Sequence, residues 1–182
     1  MIMSKNQNAK IIFVEGETEY ALFQKMKQKG LIKFKKIVKK NFWVDDIKKY
    51  AVNIPKNCDL IVVFDSDVID RVDRFIQNVN YLASRKHSIF LLQQTRNFEE
   101  EIAYCCSVTL NKLIASFCKC KTSGVADFKR DFISSSNPFD KLVALGINQD
   151  KWFKRELHHS LLSLSKYKSD FSTYFNADVI NL

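Results

Sequence analysis

Glycine is scarce in this chain, four residues in 182. No Walker loop can be assembled from them, so the chain is not itself a P-loop ATPase. Only two prolines occur, and neither a repeat nor a low-complexity tract stands out. Histidine is equally sparse, at three, and no Ser/His/Asp arrangement suggests a nucleophilic triad. The five cysteines are an odd number. Residues 1–10 are polar and the apolar run from Ile11 is too short for a secretory signal. Reduced thiols and a cytoplasmic location are therefore expected. No stretch approaches membrane-spanning length.

What the chain does have is ordinary apolar content, 46%, and an excess of positive charge, formally +9. Fifteen phenylalanines point to an aromatic core. A basic excess of this size in a small protein favours a polyanionic partner such as nucleic acid.

The stretch that organises the rest is IIFVEGETEY, residues 11–20. Four apolar, mostly β-branched residues run into Glu15 and Gly16, and a helix-forming segment follows. This spacing predicts a buried strand, a tight turn and a helix to about Lys29, with Phe23 and Met26 inward and Gly30 as the stop. Further strands are predicted over residues 31–38, 60–64 and 88–92. Helices are predicted over residues 44–52, 69–84 and 98–106. The alternation implies α/β architecture, with right-handed crossovers and a mostly parallel four-stranded sheet flanked by helices. Beyond Val108 the pattern changes to helices alone, near residues 110–117, 125–133, 139–145 and 152–167. The expected division is a domain over residues 10–107 and a helical C-terminal extension over residues 108–182, packed on it.

Glu15 stands at the carboxyl end of the first strand, where ligands of open α/β sheets sit. The third strand, residues 60–64, ends in Asp65-Ser66-Asp67. Neighbouring parallel strands would bring Glu15, Asp65 and Asp67 together. Three carboxylates there repel one another unless a divalent cation joins them, and oxygen ligands of this kind suit Mg2+ or Mn2+.

A glutamate after the first strand, followed by Asp-x-Asp after a later one, resembles the Toprim domain of topoisomerases, primases and OLD-family nucleases. The form VEGETE is most similar to the OLD-type and RloB-like Toprim proteins of bacterial anti-phage systems. The resemblance covers about the first two thirds of the chain and predicts the same mostly parallel sheet. It implies a metal-dependent nuclease that cuts DNA or RNA, transfer RNA among them, as a toxic effector. It implies Glu15, Asp65 and Asp67 as catalytic residues. It adds Glu19 and Glu99 as metal ligands, with Glu100 as the fallback to Glu99, and the set could hold two ions. A separate ATPase partner is also implied. Related nucleases use a basic side chain against the scissile phosphate; Lys129, Arg130, Lys141, Lys154 and Arg155 are the candidates here.

Two basic clusters are candidate phosphate contacts. The first includes Lys33, Lys35, Lys36, Lys39 and Lys40, near Phe34, Phe42 and Trp43. The second includes Lys154 and Arg155, near Trp152 and Tyr167. Most of these aromatics are expected to be core. Two other functions compete with the nuclease. One is a non-catalytic nucleic-acid-binding subunit of the same fold. The other is a haloacid-dehalogenase-type phosphatase with Asp65 as nucleophile, since Asp65-Ser66-Asp67-Val68 also resembles that family's first motif. Cys105-Cys106, Cys118-x-Cys120, His87 and His158-His159 match no common zinc module. All are expected to be structural, the paired histidines on different faces of a helix.

Overall fold

A computed structural model describes residues 8–119 and 123–170. Most of the expected terminal segment over residues 1–9 and the thiol of Cys120 lie outside them. The protein is α/β. Its four-stranded, all-parallel sheet comprises β1 (Lys10–Val14), β2 (Lys36–Lys39), β3 (Asp59–Asp65) and β4 (Ser88–Gln94). They lie in the order β2-β1-β3-β4. The helices are α1 (Glu17–Gln28), α2 (Ile47–Ala51), α3 (Val72–Ser84), α4 (Phe98–Cys105), α5 (Leu110–Phe117), α6 (Val125–Ser134) and α7 (Pro138–Ala144).

Strand alternation divides the core between two faces of the sheet. Ile12 and Val14 face α1, meeting Leu22, Phe23 and Met26. Ile11 and Phe13 face α2 and α3, meeting Ile47, Phe75, Val79 and Leu82. The chain therefore leaves β1 toward one face and β3 toward the other. β1 and β3 are neighbours, so an open crevice lies between their carboxyl ends, at a topological switch point.

β2 is shorter than expected. Gly30, at φ 75°, ends α1 with paired bonds: its own N–H donates to Lys27 O and that of Leu31 to Met26 O. This is a Schellman ending, which suits glycine. Leu31, Ile32 and Phe34 are then buried as irregular chain before β2 begins.

The C-terminal helices share the core of the α1 face. Phe98, Phe117, Phe128 and Phe132 form an edge-to-face and tilted set with centroids 5.2–5.4 Å apart. Such ring pairs add to their area burial. Trp152 stacks on Phe23 of α1 at 6.3 Å.

The helix expected over residues 152–167 does not form as such. Phe153 has φ 60°, and 3-10 helix runs only over His159–Tyr167. Specific polar anchors hold the intervening chain. Glu101, wholly buried, accepts from the N–H groups of Thr95 and Phe153, each at 3.1 Å. Gln93 accepts from His158 N–H at 2.7 Å and donates to Glu156 O at 3.1 Å. The chain then meets β4 in a parallel bridge between Lys168 and Leu91, where Ser169 N–H donates to Leu91 O. The outer edge of β4 is thereby partly covered.

Glu101→Ala would leave the buried Phe153 N–H and the part-buried Thr95 N–H without an acceptor. A loss of roughly 2–4 kcal/mol is expected, with about half of it recovered in Glu101→Gln, which keeps one acceptor. Urea unfolding of the three proteins measures this, and equal midpoints would refute the anchoring role.

Candidate functional site

Glu15 follows β1, and two groups hold its carboxylate. Asn41 Nδ2 donates to Oε1 at 2.8 Å and Asp65 N–H donates to Oε2 at 3.2 Å. Asn41 is itself fixed, since its Oδ1 accepts from Trp43 N–H and Val44 N–H. Trp43 Nε1 donates to Asp65 O at 3.1 Å. One turn after β2 therefore positions both the first and the second acidic residue. Asp65 ends β3 opposite Gln94 of β4. Ser66 Oγ donates to Gln94 O and accepts from Arg96 N–H, while Ser66 N–H donates to Arg96 O. These bonds fix the direction in which the chain carries Asp67 away.

Glu19 lies in the first turn of α1 but turns back and is 2% exposed. Gly16 makes room for it: a Cβ there would stand 2.5 Å from Glu19 Oε2. Gln94, also buried, lies against both acids; assigned with its amide nitrogen rather than its oxygen toward them, it donates to Asp65 Oδ1 at 2.7 Å and Glu19 Oε1 at 2.9 Å. Glu99 enters from the first turn of α4 and is 1% exposed. Neither of its oxygens has a hydrogen-bond partner. Lys129 of α6 stands 3.4 Å from Glu99 Oε1 as an ion pair.

The electrostatics follow from that crowding. Burial above all, then the charges of Glu19, Glu15, Asp67 and Glu99, pushes Asp65 up to about 9. Glu19 rises to about 7, first through burial, with Glu99 and Glu15 adding to it. Burial also raises Glu15 and Glu99, the latter against the opposing charge of Lys129. Glu15, Glu19, Asp67 and Glu99 each raise at least one other acid of the set, and Asp65 is raised by all four. Desolvation and like charge both favour protonated carboxyls here.

The neighbouring acids separate by helical phase. Glu100 turns outward to Arg96, while Glu101 serves the C-terminal anchor. Of the five basic candidates for the phosphate, Lys129 alone is ion-paired to one of these acids. Arg130 pairs with Asp127 and Asp131, and Lys141 lies over the Phe117 ring. Arg155 packs over Tyr104 at 3.7 Å and approaches Glu101. Lys154 is exposed.

The first basic cluster is spread along β2. Lys39 pairs with Glu17 and Lys40 with Asp45, both at the acidic end of the strand. Lys33, Lys35 and Lys36 lie toward the opposite end, where Lys35 N–H donates to Lys10 O. Phe34, Phe42, Trp43 and Trp152 are core residues. Cys58, Cys105, Cys106 and Cys118 are buried free thiols, and burial raises Cys106 to about 11. His87 accepts from Cys58 N–H. His158 and His159 do not point to different helix faces. They sit at the start of the 3-10 segment with rings 4.0 Å apart.

Asn41 and Gln94 escaped the sequence reading. Their only signals are a polar residue after a short strand and a polar pair ending an apolar one.

No family model matches the chain, no curated protein matches it, and no solved structure matches it. Among the described residues, no three Asp, Glu, His or Cys side chains stand as a closed metal-ligand set.

The raised acids give a pH dependence. Their folded values exceed those of an unfolded chain, so the folded state holds extra protons. Stability due to these groups is present at low pH and falls as pH rises from the ordinary carboxyl range through about 9. In chelator, the melting temperature of Asp65→Asn should exceed that of wild type at pH 8.5 by more than at pH 5.5. An equal difference at both values would show that neither burial nor the neighbouring charges raise Asp65.

Proposed function

We propose that this acidic crevice binds Mg2+ or Mn2+, two ions at full occupancy, and hydrolyses phosphodiester bonds in nucleic acid. The observation that carries the reading is the convergence of Glu15, Glu19, Asp65, Asp67 and Glu99 at one switch point, with Lys129 beside them. An all-oxygen donor set suits these cations. The buried carboxylate of Glu99, which makes no hydrogen bond and faces the Lys129 ammonium, also fits them.

Bound ions would supply charge neutralisation at the phosphoryl oxygens and a more acidic attacking water. The chain's own groups supply the rest. Asn41 and the Asp65 N–H orient Glu15, which can take a proton from water once its neighbours' charges are compensated. Gln94 holds Asp65 and Glu19 at a fixed separation. Lys129, half exposed, can leave Glu99 to meet a phosphate oxygen. Lys40, at the same end of β2, extends the positive rim, and the net charge of +9 favours approach of a polyanion.

The motif resemblance extends this reading to a toxic anti-phage effector governed by a separate ATPase. A phosphatase with Asp65 as nucleophile fits less well, because its motif follows the third strand and β4, the later strand among the described residues, ends in Gln93-Gln94 rather than in paired aspartates.

Glu15→Gln preserves size and removes the charge. Cleavage of labelled DNA or RNA with manganese should fall roughly 10²–10⁴-fold with near-native melting. Glu17→Gln is the control, since Glu17 is exposed and paired with Lys39. Equal activity in both variants would overturn the assignment. Calorimetric titration of manganese into wild type and Asp65→Ala separates the alternatives: equal binding removes the metal site, and binding without cleavage by wild type identifies a non-catalytic subunit.

A further inference from the structure

The two edges of the sheet are treated differently. The returning chain at Lys168 and Ser169 meets the edge of β4. Among the described residues, β2 ends the sheet on the other side, at the floor of a groove of about 420 Å³. Glu17 and Tyr20 of α1 form one wall and Tyr50 of α2 the other, with Lys36 to Lys39 between them. We infer that this groove takes an extended acidic segment of another protein, which adds to β2 as a fifth strand.

The backbone has the required phase. Lys40 N–H donates to Val14 O of β1. The unbroken parallel register from Ile11↔Lys36 to Val14↔Lys39 carries that phase back along β2, so Lys36 and Val38 also face β1, while Ile37 and Lys39 direct their N–H groups outward; Lys35, whose N–H reaches Lys10 O, precedes the strand. An added strand finds two donors at the spacing of a β repeat, with specificity left to alternate side chains.

Charge selects the occupant. Lys36 lies over the Tyr50 ring on one face of β2, and Lys39 reaches Glu17 on the other. A second copy of this chain is a poor fit. Two-fold antiparallel pairing keeps each side chain on its own face, so residues meet partners of the same parity. Centred on Ile37 it sets Lys35 against Lys39; centred on Val38 it sets Lys36 against Lys40. Centred on Lys36 or Lys39, it sets a lysine against itself. Like charges directly opposite destabilise a pair, and edge lysines commonly block self-association. Carboxylates opposite Lys36 and Lys39 reverse that sign. A nucleic acid would use the lysines but not the outward N–H groups.

The test uses a fluorescent ten-residue peptide of Val and Thr with two glutamates three residues apart, so that one stands opposite Lys36 and the other opposite Lys39 on the other face. Its controls are the same peptide with two central prolines and a single-stranded oligonucleotide of equal charge. The expected result is binding of the first peptide alone, with hydrogen-exchange protection at Ile37 and Lys39 and none added at Val38. Lys36→Glu should weaken binding roughly tenfold. Proline is tolerated where an edge N–H faces solvent, so Lys39→Pro should melt near wild type and lose the peptide. Lys39→Gln, which keeps the N–H, should retain part of the affinity. Equal binding of the proline peptide, protection at Ile37 and Lys39 by the oligonucleotide, or undiminished binding by folded Lys39→Pro would each overturn the inference. If Lys39→Pro does not fold, the exchange pattern of the wild-type protein decides.

Discussion

Desolvation of clustered carboxylates, with their mutual repulsion added to it, is the constraint on which the acidic end of this fold depends. Asp65 and Glu19 are held where both desolvation and neighbouring charge oppose ionisation. Such a cluster persists only when the surrounding chain over-determines it. Here the Asn41 side chain, the Asp65 N–H and the Gln94 amide each donate into it. Lys129 places the one cation paired with it among the described residues. Removing any of these groups leaves a buried carboxylate less compensated, the costly side of a buried charge.

The C-terminal half bears on that arrangement in two ways. α6 delivers Lys129 to Glu99 across the aromatic cluster of Phe98, Phe128 and Phe132. Glu101, two residues after Glu99, fixes the chain at Phe153. The first turn of α4 thus points one acid into the crevice and another into the structural anchor, with Glu100 in the solvent between them. A helix turns about 100° per residue, so residues 99 and 101 fall on different sides. The candidate metal centre and the attachment of residues 152–169 consequently share one short helix.

The β2 edge joins this picture from the other side. The turn that follows β2 carries Asn41 and Trp43, which hold Glu15 and Asp65. A strand added at β2 would lie directly upstream of that turn. Occupation of the edge and the geometry of the acids are connected through three residues, Lys40 to Phe42, rather than through a long path.

Local sequence determined the parallel sheet and the positions of the acids along it. Continuous apolar runs ending in Glu15 and in Asp65-Ser66-Asp67 leave few alternatives to strand ends, because both faces of such strands must be covered. Gly30 determined the end of α1 for a similarly local reason, its positive φ. Tertiary structure decided what depended on contacts distant in the chain. Gln94 meets Glu19 and Asp65 only after β4 pairs with β3. Lys129 meets Glu99 only after α6 packs on the core. The helical periodicity of residues 152–167 yielded to buried acceptors at Glu101 and Gln93, since satisfying a buried carboxylate outweighs local helix propensity. Lysine spacing likewise left undecided which basic residues flank the acids, because strand direction, not sequence proximity, separates Lys33 and Lys35 from Lys39 and Lys40.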